Sequence, residues 1–195
     1  MIGGSSGRIL YWPGMGRSPL ELFDFHRRME DNGYSIDIMP HKYDVGETPD
    51  NPESSIYQWT NNLAKTGADW WIGLSLGASV AYLVASAISA KAIPKRITLI
   101  NPFADRVQLA WEKNFSLVGQ WLLSPVNHYL HVPIVDIVLS LNDDRIPIEH
   151  GKRLLPMITA SELRVVMLNA DHAVTASSAQ LELADVLLCG RYTCT

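Results

Sequence analysis

Short apolar runs alternate with helix-patterned stretches from one end of this sequence to the other. That alternation restricts the fold more than any other feature. Residues 9–12, 69–72, 96–100, 134–141 and 163–168 read as short buried strands, and 34–39 alternates apolar and polar as a strand does. Between them, 20–32, 55–65, 76–90, 148–158 and 177–188 carry apolar residues at helical spacing, such as Leu22, Phe25 and Met29 before the stop at Gly33. Strands this short, separated by helices, build βαβ units and a parallel sheet with helices packed on its faces. The expected fold class is α/β, with about six mostly parallel strands. At 195 residues the chain has the length of one domain, so residues 1–195 are read as a single unit.

One segment is long for a plain crossover. Residues 104–132 lie between two strands and carry Trp111, Phe115, Val118 and Leu122 at helical spacing, with Trp121 and Leu123 beside them. The segment reads either as a helix covering the core or as a small lid insertion with an apolar lining. On the second reading Trp111, Phe115 and Trp121 are candidate substrate contacts.

Bulk properties exclude several classes. The net charge is −4 and no Lys/Arg run tracks a groove, so no nucleic-acid partner is expected. No stretch of about 18 apolar residues exists to span a bilayer. The opening MIGGSSGR lacks a basic region followed by an apolar one, so the expected compartment is the cytoplasm. The two cysteines, Cys189 and Cys194, have no histidine partners at zinc spacing, and no metal is expected. Nothing in the sequence sets an oligomeric state.

The stretch Gly73-Leu74-Ser75-Leu76-Gly77 falls between a strand and a helix. A serine hydroxyl attacks a carbonyl only when a base takes its proton and a third group orients that base. It must also stand exposed, and a sharp strand-to-helix turn flanked by glycines exposes it. Two later strands end in Asn142-Asp143-Asp144 and Asn169-Ala170-Asp171-His172. Ser75, Asp143 and His172 therefore fall at the carboxyl ends of three strands, the edge of a parallel sheet where sites form. Each residue also has a plainer reading: Ser75 as a helix cap, Asp143 as a turn former, His172 as a loop or core histidine. A rival layout sits at the N-terminus, where Gly14-Met15-Gly16 precedes Asp37 as in a dinucleotide site. The third glycine of that fingerprint falls at Pro19, and no cofactor is expected.

With these residues the chain resembles the α/β-hydrolase superfamily, and within it small single-domain bacterial esterases and thioesterases of the YqiA type. GLSLGAS looks like the nucleophile elbow, LNDDRIP resembles the acid turn, NADHAV is similar to the histidine loop, and Asn101-Pro102 follows the strand after the elbow. The resemblance implies Ser75 as nucleophile, His172 as general base and acid, and Asp143 as the orienting acid, with Asp144 the alternative. It implies an oxyanion hole from the amides of Leu76 and Met15. Pro13 stands where the family usually has histidine. The implied activity is hydrolysis of a carboxylic ester or thioester, as a small molecule or on a carrier, through an acyl-enzyme. The alternative is a hydrolase-shaped binding or scaffold protein without turnover.

Overall fold

The computed structural model describes residues 7–14, 22–39, 67–88, 92–113 and 124–189. The expected helix at 55–65 and the residues Met15, Phe115 and Trp121 lie outside them. In chain order the described elements are β1 (Arg8–Trp12), α1 (Phe23–Asp31), β2 (Ser35–Ile38), β3 (Trp70–Leu74), α2 (Leu76–Ala87), β4 (Arg96–Ile100) and α3 (Arg106–Lys113). There follow β5 (Leu130–His131), β6 (Ile134–Asn142), α4 (Ile148–Leu154), β7 (Ile158–Thr159), β8 (Glu162–Asp171) and α5 (Ser177–Cys189).

Six strands form one sheet in the order β2-β1-β3-β4-β6-β8, and every pairing is parallel. The six strands expected from the sequence are these six. Their middle members are buried on both faces, which is why they read as unbroken apolar runs rather than alternating ones. The two-residue strands β5 and β7 pair separately, and runs that short leave no pattern in a sequence.

Side chains along each strand divide between two cores. Leu10, Trp12, Trp71, Ile97, Leu99, Val135 and Ile137 pack on the face crossed by α2. Ile9, Tyr11, Trp70, Ile72, Leu74 and Val138 pack on the opposite face with Phe25 and Met29 of α1 and Leu183 and Leu187 of α5. Residues 76–85 of α2 are all buried. Small side chains at Ala78, Ala81 and Ala85 let that helix lie close to the sheet, so it is apolar nearly all round, as buried helices are.

The apolar run of β6 contains one carboxylate, Asp136, which is fully buried. Register explains it. Asp136 lies between Thr98 on β4 and Arg164 on β8. It accepts hydrogen bonds from Thr98 Oγ1 at 2.7 Å, Arg96 Nε at 2.8 Å and Arg164 Nε at 2.6 Å. A buried charge is tolerated only when paired and hydrogen-bonded in this way.

The chain moves outward from β1 through α1 to β2, then crosses back to β3 and continues through β4, β6 and β8. The reversal places the carboxyl ends of β1 and β3 side by side, and open parallel sheets bind ligands at such a switch point.

Candidate active site

Ser75 stands directly beyond β3. Its amide still donates to the carbonyl of Ile100 on β4 at 2.8 Å, so the turn begins where the sheet ends. Its backbone is at φ 55° and ψ −119°, and its side chain makes no capping hydrogen bond to α2. The helix-cap reading of this serine therefore does not describe it. A non-glycine residue at positive φ is held there by its surroundings at a cost of about 1–3 kcal/mol.

The flanking glycines each answer to a close approach. A Cβ at Gly73 would fall 2.5 Å from the Cα of Ala78, inside the start of the helix. A Cβ at Gly77 would overlap the carbonyls of Trp12 and Pro13 at the end of β1. Gly77 thus lets the N-terminus of α2 press against the β1 loop, which brings Gly14 to the same cavity as Leu76. Leu76 is the first helical residue, and its amide has no acceptor within the helix.

The three strand-end side chains meet. His172 Nε2 lies 2.9 Å from Ser75 Oγ, and His172 Nδ1 lies 2.7 Å from Asp143 Oδ2. A carboxylate only accepts, so Nδ1 carries the proton and Nε2 is free to accept from the serine hydroxyl. His172 and Asp143 are nearly enclosed, with side-chain exposures of 9% and 2%. The other oxygen of Asp143 accepts from the amides of Arg145 and Ile146, both at 2.8 Å, which fixes the carboxylate in its turn. Between the pairs Ser140–Leu168 and Asn142–Asp171, β8 uses one residue more than β6, a bulge that falls just before His172. Bulges re-aim side chains in this way. Of the two candidate acids, Asp143 reaches the imidazole; Asp144 lines the cavity and lends its carbonyl to Lys113 Nζ at 2.8 Å.

Residues outside the trio hold the histidine loop. Asn101, buried and at φ 49°, donates from Nδ2 to the carbonyl of His172 at 2.8 Å and to Ser140 Oγ at 2.9 Å. Its Oδ1 accepts from the amide of Ser140 at 2.8 Å. Gln180 Nε2 donates to the carbonyl of Val174, itself at φ 53°, while its Oε1 accepts from the amides of Asp24 and Phe25. The sequence marks Asn101 only through the pair Asn101-Pro102, and it gives no sign of Gln180.

A cavity of about 490 Å³ opens onto Ser75 and His172. Leu74, Leu76, Phe103, Leu109 and Ile146 make it largely apolar, and α3 supplies one wall through Arg106, Leu109 and Lys113. That helix is braced against α4. His150 accepts from the amide of Ala104 at 3.3 Å and donates to Glu112 at 3.0 Å, and Arg153 bonds Gln108 and Glu112. The hydrogen bond from His150 holds the Glu112 carboxyl below its usual range. Trp111 points elsewhere: it is 82% exposed and is not among the residues lining the cavity. Asp37, the acid of the dinucleotide layout, pairs with Arg8 at 2.6 Å. Among the described residues no group of three or more His, Cys, Asp or Glu could hold a metal, and no helix is long and apolar enough to cross a membrane.

No family model matches the sequence, and a search of curated proteins found no match. Solved structures do resemble the fold. An esterase domain from Rhodothermus marinus matches with a TM-score of 0.70 at 15% identity, over 97% of this chain and 88% of its own. Alpha/beta hydrolase domain-containing protein 10 from mouse matches with a TM-score of 0.72 at 13% identity, over 96% of this chain and 90% of its own. The enol-lactonase from Burkholderia xenovorans LB400 matches with a TM-score of 0.63 at 14% identity, over 96% and 94%. Likeness at such identity concerns architecture, and by architecture this chain is an α/β-hydrolase fold.

Proposed function

We propose that the chain is a serine hydrolase that cleaves a carboxylic ester or thioester through an acyl-enzyme. The observation that carries this reading is the continuous hydrogen-bonded path from Ser75 Oγ through the His172 imidazole to Asp143. Ser75 attacks the carbonyl carbon as its proton passes to His172 Nε2. Asp143 keeps the proton on Nδ1 and stabilises the imidazolium that forms. The tetrahedral oxyanion is held by the amides of Leu76 and Met15, and each such donor lowers the barrier by on the order of 3 kcal/mol. Collapse breaks the bond to the leaving alcohol or thiol, which takes the proton from His172. Water then attacks the acyl-enzyme, gives a proton to His172, and releases the acid as Ser75 regains its hydrogen. The net reaction consumes one ester and one water and yields one acid and one alcohol or thiol. The apolar lining favours an acyl or aryl group over a sugar.

A fluorophosphonate probe tests the reading. The folded protein is labelled, and Ser75→Ala and His172→Ala are not. A folded protein that resists labelling supports the hydrolase-shaped binding protein instead.

A further inference from the structure

The geometry points to Arg106 as the binding site for a carboxylate carried by the substrate, so that the preferred ester is one bearing a second, ionised acid group. This rests on the hydrolase reading and names the substrate class of the same site. Arg106 opens α3, is 93% removed from solvent by its 7% exposure, and lines the cavity that contains Ser75 and His172. Its Nη1 is buried with no hydrogen-bond partner, and among the described residues no carboxylate pairs with the guanidinium. Arg96 and Arg164, less deeply placed with side-chain exposures of 16% and 20%, by contrast share Asp136.

A buried charge without a partner is unstable on its own terms, because burial removes its water and returns nothing. Burial accordingly pushes the Arg106 guanidinium below its ordinary range, yet arginine does not give up its proton in proteins. An anion that enters the cavity and draws the guanidinium toward it would satisfy it. The guanidinium fork suits a carboxylate in a two-point contact. One buried cation neutralises one negative charge, which favours a carboxylate over a doubly charged phosphomonoester. Lys113 and Arg145 line the same cavity, and among the described lining residues Asp144 is the one carboxylate, so the surrounding field also attracts an anion. Arg106, Leu109 and Lys113 follow i, i+3, i+7 spacing, which puts the cation and its apolar neighbour on one helix face. A substrate with an apolar stem between its two acid ends fits that order.

Monomethyl adipate and methyl adipamate, its neutral primary amide, form a matched pair of nearly equal size. The native protein hydrolyses the charged ester with a kcat/KM about tenfold or more above that of the amide. In Arg106→Met and Arg106→Gln the ratio falls to near one. An arginine that only supports the fold would change both rates in proportion and leave the ratio as it was, and that result overturns the proposal. Equal rates in the native protein overturn it as well, as does a stronger preference for a phosphate-bearing ester. Hydrolysis of neither ester, in a protein that fluorophosphonate fails to label, overturns the hydrolase reading beneath it.

Discussion

The side-chain amide of Asn101 donates to the backbone carbonyl of His172 across 2.8 Å, so the residue after one strand holds the loop that follows another. The same amide group is tied to Ser140 on β6. The imidazole is therefore fixed from behind, through backbone, as well as in front through Asp143. Asn101→Ala strands buried polar groups of Ser140 and of the His172 loop and places alanine at positive φ, where asparagine is tolerated better. The expected loss of stability is on the order of 3 kcal/mol, read by urea denaturation, with kcat on a reactive ester falling about 100-fold from misplacement of the base. Asn101→Gly relieves the backbone but not the hydrogen bonds. It should recover part of the stability and little of the activity; recovery of full activity would show that the amide positions nothing.

Asp143 and Asp144 are adjacent carboxylates with different surroundings. Asp143→Asn removes the acceptor that holds the proton on Nδ1 and should reduce kcat by about 10⁴. Asp144→Asn leaves the imidazole contact in place and should reduce kcat far less. Equal losses in single-turnover assays of the two variants would contradict the assignment.

The turn at Ser75 stores strain. Ser75→Gly removes the side chain from a backbone at φ 55°, and glycine adopts that region freely. The variant should lose hydrolysis and gain about 1 kcal/mol of stability, measured by chemical denaturation. A less stable variant would mean that the hydroxyl contributes more to folding than the strained backbone takes away.

His26 gives the fold a pH dependence. It packs edge-on against Tyr11 with ring centres 4.7 Å apart, and burial lowers its pKa from 6.5 to about 4. The unfolded chain therefore binds a proton at a pH where the folded chain does not. Stability from this group is complete above pH 6.5 and falls as pH drops toward 4, by about 3 kcal/mol in total. Unfolding free energies measured across that window should fall in the native protein and fall less in His26→Phe. Parallel curves for the two proteins would place the titration on another group.

The strands and the order of the candidate site were legible because central parallel strands are apolar throughout and because each of Ser75, Asp143 and His172 follows one directly. Arg106 was not. Apolar spacing through Trp111 suggested one helix face, while the face that meets the cavity carries Arg106, Leu109 and Lys113. Which side of a helix faces inward depends on where the helix starts and what braces it, here the His150–Glu112 contact, and that is a long-range fact. Asp136 was hidden for the same reason. Its partners Arg96 and Arg164 lie on neighbouring strands, and only the register brings them together.

The contact permitted by Gly77 makes the two sides of the cavity unequal. On one side, main chain presses on main chain, and no substitution can reshape it without separating β1 from α2. On the other, α3 offers side chains that can be exchanged singly. Efforts to redirect the molecule toward longer, shorter or uncharged molecules should therefore leave the glycine side untouched and diversify positions 106, 109 and 113.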